Sequence, residues 1–313
     1  MVRQRILYGS VMLAGLVMLV AVDAWLSRPD MNGLGVADVL GHGGLTTVVF
    51  ALIALLGAAE FCRLVRQVGH HPSLPWILVM VGLMVAGPWL AAPAIAPRLI
   101  PLGTFGALLA RLDAALPPVA LLGTAGLLVR RQRTSGAVAD FSVTLAAIFY
   151  IGLLGSFAVR LRCWLPGAAG AWVLLATLFV VKVTDIGAYF TGLSVGRRPL
   201  IPKISPKKTW EGLVGGLGAA SISSAFLLGM GVPISWEDGT RVWLTVPQAV
   251  VFGLVMAAVG QLGDLVESLF KRDSGVKDSA KLIPTFGGIL DLIDSPLVCL
   301  PVAYGLLRWW TGR

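Results

Sequence analysis

Residues 242–263 read Val-Trp-Leu-Thr-Val-Pro-Gln-Ala-Val-Val-Phe-Gly-Leu-Val-Met-Ala-Ala-Val-Gly-Gln-Leu-Gly, with no charged side chain, and Asp264 follows at once. About 20 predominantly apolar residues cross the hydrocarbon core of a bilayer as a helix, so this stretch can span one. Residues 6–22, 44–59, 67–97, 114–129, 141–159, 163–181 and 212–236 are also free of charge, and most reach or approach that length. A last apolar stretch, 289–310, contains Asp291, Asp294 and Arg308. Counting it, the pattern predicts about nine transmembrane helices in an all-α, polytopic integral membrane protein. The fourth is interrupted by Pro117-Pro118, and the sixth should run on through Lys182 and Asp185 to about Thr191.

Composition agrees with lipid as the main solvent. Of 313 residues, 57% are hydrophobic and 13% charged, and the mean hydropathy is +0.84. Soluble chains are roughly 25% charged, and so little polar surface could not cover a core of this size. Disorder requires low hydrophobicity and high charge density. Three cysteines, none in a CxxC pair, exclude a disulfide framework. The net charge of +9 fits the positive-inside bias and anionic headgroups. No nucleic-acid partner is expected, because no basic, aromatic-interleaved soluble domain exists to bind one. Arg3 and Arg5 before an apolar run resemble a signal peptide, but no small-residue cleavage site follows, so a retained anchor is expected. No repeat or long linker stands out, which predicts a single membrane-embedded domain over residues 1–313.

Lysine and arginine placement sets the orientation. With nine helices, sixteen cations fall on the N-terminal side: Arg3 and Arg5; Arg63 and Arg66; Arg130, Arg131 and Arg133; Arg197, Arg198, Lys203, Lys207 and Lys208; Lys271, Arg272, Lys277 and Lys281. Seven fall on the other: Arg28, Arg98, Arg160, Arg162, Arg241, Arg308 and Arg313. The N-terminus and the two longest polar loops are therefore expected in the cytoplasm.

The first of those loops follows Lys182-Val-Thr-Asp185-Ile-Gly-Ala-Tyr-Phe190 and contains Pro202-Lys-Ile-Ser205-Pro-Lys207-Lys208-Thr-Trp210-Glu-Gly212. Lys182 and Asp185 share a helix face and can neutralise each other. Charges near the end of an apolar helix otherwise mark a wet cavity or a site. Ser205, Lys207, Lys208 and Thr209 offer donors for phosphate oxygens, and the next helix N-terminus adds anion-binding potential. Gly212, Gly215 and Gly216 would let that helix start close to a ligand. This reads as a phosphate cradle, without Walker A spacing.

The second loop follows residues 242–263. Asp264, Glu267, Ser268, Lys271 and Arg272 fall at i, i+3, i+4 spacing, so most can face one cavity; Lys277, Asp278 and Lys281 follow, and Asp291 and Asp294 head the last apolar stretch one turn apart. The 31 residues from Asp264 to Asp294 hold ten of the chain's 41 charges. Two carboxylates on one face, opposed by one from a neighbouring helix, suit a hard divalent cation with oxygen ligands.

These residues resemble the signature of the phosphatidate cytidylyltransferases, or CDP-diacylglycerol synthases. Ser268, Lys271-Arg272, Lys277-Asp278, Pro284, Gly287-Gly288, Asp291 and Asp294 fill its places without a gap, and both stretches of the first loop resemble the same family. The likeness is strong over roughly the last 130 residues and is one of hydropathy alone before about residue 170. It divides the domain into N-terminal helices, 1–170, and catalytic helices with cytoplasmic loops, 171–313. Two positions depart from the pattern: Phe286 replaces a histidine and Leu292 an arginine. Phe286 can neither donate to phosphate nor shuttle a proton, so no acid–base role is expected at that position. The aspartates and lysines remain, which favours tolerance of both losses.

The resemblance implies transfer of CMP from CTP to phosphatidate, giving CDP-diacylglycerol and pyrophosphate in phospholipid biosynthesis. It implies Mg2+ between Asp264 and Asp291, with Asp294 as a ligand or as a group holding one, and it allows a second cation. Lys271 and Arg272 would hold lipid phosphate or triphosphate, with Ser268 and Asp294 beside them in the catalytic group. Lys277 and Asp278 would order their loop or bind nucleotide. Ser205, Lys207 and Lys208 are candidates for the CTP or leaving-group phosphates, and Asp185 for metal or a polar network with Lys182. The substrates would be CTP and phosphatidate at the bilayer, in the cell (inner) membrane if the source is bacterial, with the site facing the cytoplasm and a homodimer as the suggested assembly. Two other readings remain open: a nucleotidyl- or phosphotransferase on another lipid, and an ion-coupled transporter, which no inverted repeat supports.

His42, His70 and His71 have no metal-ligand partners at useful spacing, and Cys62, Cys163 and Cys299 read as inert apolar side chains. Trp25, Trp164, Trp236, Trp309 and Trp310 fit interfacial belts. Trp210 is suited either to stacking on cytosine or to anchoring at the interface.

Overall fold

The computed structural model of the chain describes residues 2–27, 42–92, 103–132, 134–230, 234–235, 241–276 and 287–312. Among them nine helical rods follow one another: α1 (Val2–Leu26), α2 (Gly44–Gln67), α3 (Leu74–Leu90), α4 (Gly103–Arg131), α5 (Ala137–Trp164), α6 (Gly167–Val195), α7 (Trp210–Gly229), α8 (Val246–Asp273) and α9 (Leu290–Thr311). A π-helical section interrupts α5 at Ile148–Leu153, and another ends α7 at Ala225–Gly229. Between α6 and α7, β1 (Pro199–Ile201) pairs antiparallel with β2 (Ser205–Thr209); between α7 and α8, β3 (Ile234–Ser235) pairs with β4 (Arg241–Val242). The protein is an all-α, polytopic membrane protein carrying two small hairpins.

Seven rods are long and apolar enough to cross a membrane: α2, α4 over Asp113–Arg131, and α5 to α9. Among the described residues seven of the expected nine meet that length and apolarity, and shorter apolar helices lie at Ala14–Leu26 and Leu74–Leu90. The charge-free window at 67–97 overstated α3 because it includes a turn, where Gly69 has φ +91 and Pro72 precedes the helix. The 17 residues of α3 rise about 26 Å, short of a hydrocarbon core of about 30 Å.

Local chemistry starts the two helices nearest the site. Thr245 caps α8 in a capping box with Gln248, and Thr209 caps α7 by accepting from the Gly212 N–H at 3.1 Å. The α8 helix does not stop at its first charge but runs nine residues past Asp264, to Asp273. The α6 helix likewise continues to Val195.

Small residues let these helices approach closely, as in membrane bundles generally. A Cβ added at Gly187 would meet Ala219 Cβ at 2.5 Å, one at Gly212 the Ala188 carbonyl at 2.8 Å, and one at Gly216 the Thr184 carbonyl at 3.1 Å. Gly212, Gly215 and Gly216, expected to make room for a ligand, thus make room for α6 against α7. At Gly263 an added Cβ would lie 2.7 Å from the Asp294 carbonyl, so this glycine admits the second turn of α9 against α8 beside Asp264. The buried side chains form two clusters: one among α2 to α5, and one among α6 to α8, with α5 and α9 contributing to both.

Polar contacts gather the helix ends into two poles. At one, Arg131 donates to the His71 carbonyl at 2.9 Å, the His71 N–H donates to Asp140 at 2.7 Å, and Lys208 meets Asp264. At the other, Asp23 of α1 pairs with Arg162 of α5 and accepts from the Thr46 N–H at 3.1 Å, while Arg160 pairs with Asp113 at 2.6 Å. Charge placement alone puts Arg160 and Arg162 on a loop. They lie instead within α5, where Arg162 is 1% exposed and is matched by a carboxylate that is fully buried.

Candidate active site

Four elements deliver charged side chains to the first pole. One stripe of α8 carries Asp264, Glu267, Ser268 and Lys271, because i, i+3, i+4 positions share a helix face. The first turns of α9 carry Asp291 and Asp294, β2 carries Lys208, and α6 carries Lys182 and Asp185.

The carboxylate oxygens of Asp264, Glu267 and Asp294 lie within 4.8 Å of one another, close enough to share a metal ion. Glu267 and Asp294 are buried, whereas the Asp264 side chain is one-third exposed, which opens the group toward solvent on one side. Asp294 also accepts from the Ser295 N–H at 2.6 Å, which fixes its rotamer. The Lys208 ammonium sits 2.5 Å from Asp264 and 2.9 Å from Gln261 Oε1. Lys182 reaches the Leu292 carbonyl at 3.1 Å and Asp185 at 3.7 Å, so the expected mutual neutralisation is present and extends to α9. Asp264, Lys182 and Asp185 are near enough to act electrostatically on Asp294.

Asp291 does not join that group of three carboxylates. It accepts from Lys271 at 2.7 Å and from the Gly288 N–H at 2.7 Å, while Lys271 also pairs with the fully buried Glu267. Lys271 is therefore an internal bridge between α8 and α9 rather than a cation held out to solvent. Among the described residues five carboxylates, Asp185, Asp264, Glu267, Asp291 and Asp294, face three lysines, Lys182, Lys208 and Lys271, so this group is formally anionic. A carboxylate excess in a half-buried setting favours a bound cation, because unpaired buried charge is costly.

The remaining expected residues are spread around it. Lys207 is exposed on β2 and Ser205 half-buried. Arg272 is exposed, its Nε donating to the Ile204 carbonyl at 3.3 Å, which ties the hairpin to the end of α8. Ser268 is buried one turn on from Asp264. Lys277, Asp278, Lys281 and Phe286 lie outside the described residues. Glu211 holds the base of the hairpin by accepting from the Arg197 and Arg198 N–H groups, and with Arg198, Trp210 and Val214 it lines an open hollow. Cys62 and Cys299 are buried, as their inert reading requires.

Three contributors escape a reading by sequence. Helical spacing puts Glu267 on the face of Asp264, but only packing brings Asp294 to the pair. Glu60, at the end of the second charge-free window, is 1% exposed and accepts from the Ile289 and Leu290 N–H groups. Nothing in the sequence ties it to residues 229 and 230 positions away. The Tyr150 hydroxyl, set by the π-helical section, is buried without a hydrogen-bond partner among the described residues, and its ring stands edge-on to Phe270.

The chain matches a family model described as the cytidylyltransferase family over residues 32–310. It is 33% identical over 270 residues to a Bacillus subtilis protein named phosphatidate cytidylyltransferase, covering 85% of this chain and 95% of that one. It is 32% identical over 303 residues to phosphatidate cytidylyltransferase 5, chloroplastic, of Arabidopsis thaliana, covering 88% and 69% respectively. The protein YnbB of Escherichia coli is 32% identical over 282 residues, covering 87% and 82%.

Proposed function

This chain belongs to the cytidylyltransferase family, and from that premise we propose that it transfers CMP from CTP to phosphatidate, forming CDP-diacylglycerol and pyrophosphate. A phosphate oxygen of phosphatidate attacks the α-phosphorus of CTP, and the bond from that phosphorus to the bridging oxygen of pyrophosphate breaks. A phosphate monoester is already anionic near neutral pH, so the attack needs little general-base help. What the reaction needs is charge neutralisation and in-line positioning. The observation that carries the reading is the anionic cluster with its lysines at one pole of an apolar bundle, where a soluble triphosphate can meet a lipid.

Mg2+ is the cofactor this donor set fits. Oxygen ligands bound at about 2.1 Å lie up to about 4.2 Å apart across such an ion, and the oxygens of Asp264, Glu267 and Asp294 already stand within 4.8 Å of each other. These three residues would hold it, with Asp291 kept by Lys271 as a candidate for a second cation. When bound, the ion would supply positive charge for phosphate oxygens. Lys208, largely buried beside Asp264, would exchange that carboxylate for a CTP phosphate. Lys207 and Arg272, both exposed, add charge at the mouth. Ser268 supplies a hydroxyl one turn beyond Asp264, and Trp210, exposed at the start of α7, offers its ring to cytosine.

The helices before residue 170 brace this site, and the site pole faces the cytoplasm, where CTP is found. The membrane is the cell membrane in a bacterial source, and a homodimer is the assembly the family likeness suggests. The test is an assay of the purified chain in lipid nanodiscs with CTP and phosphatidate, with and without Mg2+, scored for CDP-lipid and pyrophosphate. Mg2+-dependent formation of both is expected. Turnover only with another lipid phosphate would change the substrate, and absence of nucleotide chemistry would sink the reading.

A further inference from the structure

We infer that Glu60, a residue of the N-terminal helices, is a positioning residue that sets the catalytic carboxylates of α9 from outside the catalytic half. The inference rests on the cytidylyltransferase reading for its activity arm and on geometry for the rest. A helix N-terminus leaves up to four N–H groups without partners, and these are usually satisfied by a local side chain. Ile289, the residue preceding α9, supplies no side-chain cap. The two oxygens of Glu60 do so from α2: one accepts from the Ile289 N–H at 3.0 Å and the other from the Leu290 N–H at 2.9 Å. The next N–H back, that of Gly288, donates to Asp291 at 2.7 Å.

The contact is buried and directional. Glu60 is 1% exposed and Leu290 fully buried, so water cannot replace the carboxylate. One turn earlier on α2, a Cβ at Gly57 would meet Ile293 Cδ1 at 3.0 Å, so α2 and α9 also pack closely there. These two contacts fix both the height and the rotation of the first turn of α9. Asp291 and Asp294 lie on that turn and the next, and rotation decides whether Asp294 reaches Asp264 and Glu267 while Asp291 reaches Lys271. An anion at a helix N-terminus is also favoured by the helix dipole. Misplacement of catalytic groups by about 1 Å can cost on the order of 100-fold in rate.

The experiment compares the full-length chain with Glu60→Gln and Glu60→Asp. Gln keeps the shape but only one acceptor oxygen; Asp keeps both but draws them back by about 1.5 Å. Three readouts are taken: kcat and KM for CTP, Mn2+ affinity by electron paramagnetic resonance without substrate, and amide exchange across residues 289–292. In a folded Glu60→Gln protein, kcat should fall at least about tenfold with KM for CTP little changed. Mn2+ should bind several-fold more weakly, and the 289–292 amides should exchange faster. Wild-type kcat and Mn2+ affinity in a folded variant, with only a lowered melting temperature, would make Glu60 a plain cap and overturn the inference. If Glu60→Gln does not fold, the same outcomes are read on Glu60→Asp. If the wild-type chain makes no CDP-lipid, the proposed function fails, while Mn2+ affinity and amide exchange still decide the role of Glu60.

Discussion

The Lys208 ammonium stands 2.5 Å from the Asp264 carboxylate and donates to Gln261 at 2.9 Å, so the β1–β2 hairpin is pinned to α8 at the acid cluster. Its neighbour Lys207 points to the exposed side of the same strand. Adjacent lysines in a phosphate-type loop are thus unequal. One balances a carboxylate of the cluster, and the other is a solvent-facing charge.

Their substitutions should separate accordingly. Lys208→Ala is expected to raise KM for CTP about tenfold or more, the size of a charge-assisted hydrogen bond of roughly 1.5–3 kcal/mol. Lys207→Ala should change it by no more than a few-fold, because an exposed charge is screened. Steady-state kinetics at two salt concentrations checks this; equal effects would contradict the pairing.

The carboxylates should divide by partner. Asp264→Asn and Asp294→Asn are expected to raise half-saturating Mg2+ and to lower kcat by about 10²-fold or more, as removal of a transition-state interaction does. Asp291→Asn should leave half-saturating Mg2+ closer to wild type and act mainly through Lys271 and the Gly288 turn. A Mg2+ titration of all three variants is the check, and the Asp264 variant retaining wild-type Mg2+ dependence would remove it from the ligand set.

Lys271 bridges Glu267 and Asp291 while being only 14% exposed. Removing one partner of a buried pair typically costs about 3–5 kcal/mol, so Lys271→Met should lower the melting temperature clearly. Adding Glu267→Gln should recover much of that loss without restoring turnover. A thermal melt on the single and double variants decides it.

Arg162 and Asp23 offer the opposite case, buried at the pole remote from the site. Arg162→Met should destabilise by about 3–5 kcal/mol, and Arg162→Met with Asp23→Asn should regain part of it. The kcat of whatever fraction folds should equal that of the wild type. A lowered kcat in the double variant would join this pair to catalysis.

Topology can be checked directly. Lys203→Cys, exposed in the hairpin turn, should react with a membrane-impermeant maleimide from the cytoplasmic side alone. Background should be small, since Cys62 and Cys299 are buried and Cys163 is half-buried. Labelling from the outside would invert the orientation.

What the sequence determined by itself was the solvent, the fold class and where the few charges concentrate. Charge is forbidden over long stretches by the cost of placing it in lipid, so its absence marks the helices and its concentration between Asp264 and Asp294 marks the candidate site. Helical spacing also placed Asp264, Glu267 and Lys271 on one face. Where the helices end was less legible. Charges that line a site do not stop a helix, as α8 shows, and charge-free residues can form a turn, as those before α3 do. Only tertiary structure decided the partners. The choice of Asp294 over Asp291 as companion to Asp264 depends on how far α9 is rotated, and that rotation is set by the closeness allowed at Gly263 and Gly57 and by the Glu60 carboxylate. Arg160 and Arg162 likewise looked like loop charges until Asp113 and Asp23 were seen to meet them within the bundle. Residue type and spacing record what a single helix can present. The pairing of side chains from helices more than a hundred residues apart is fixed by packing, which local sequence does not encode.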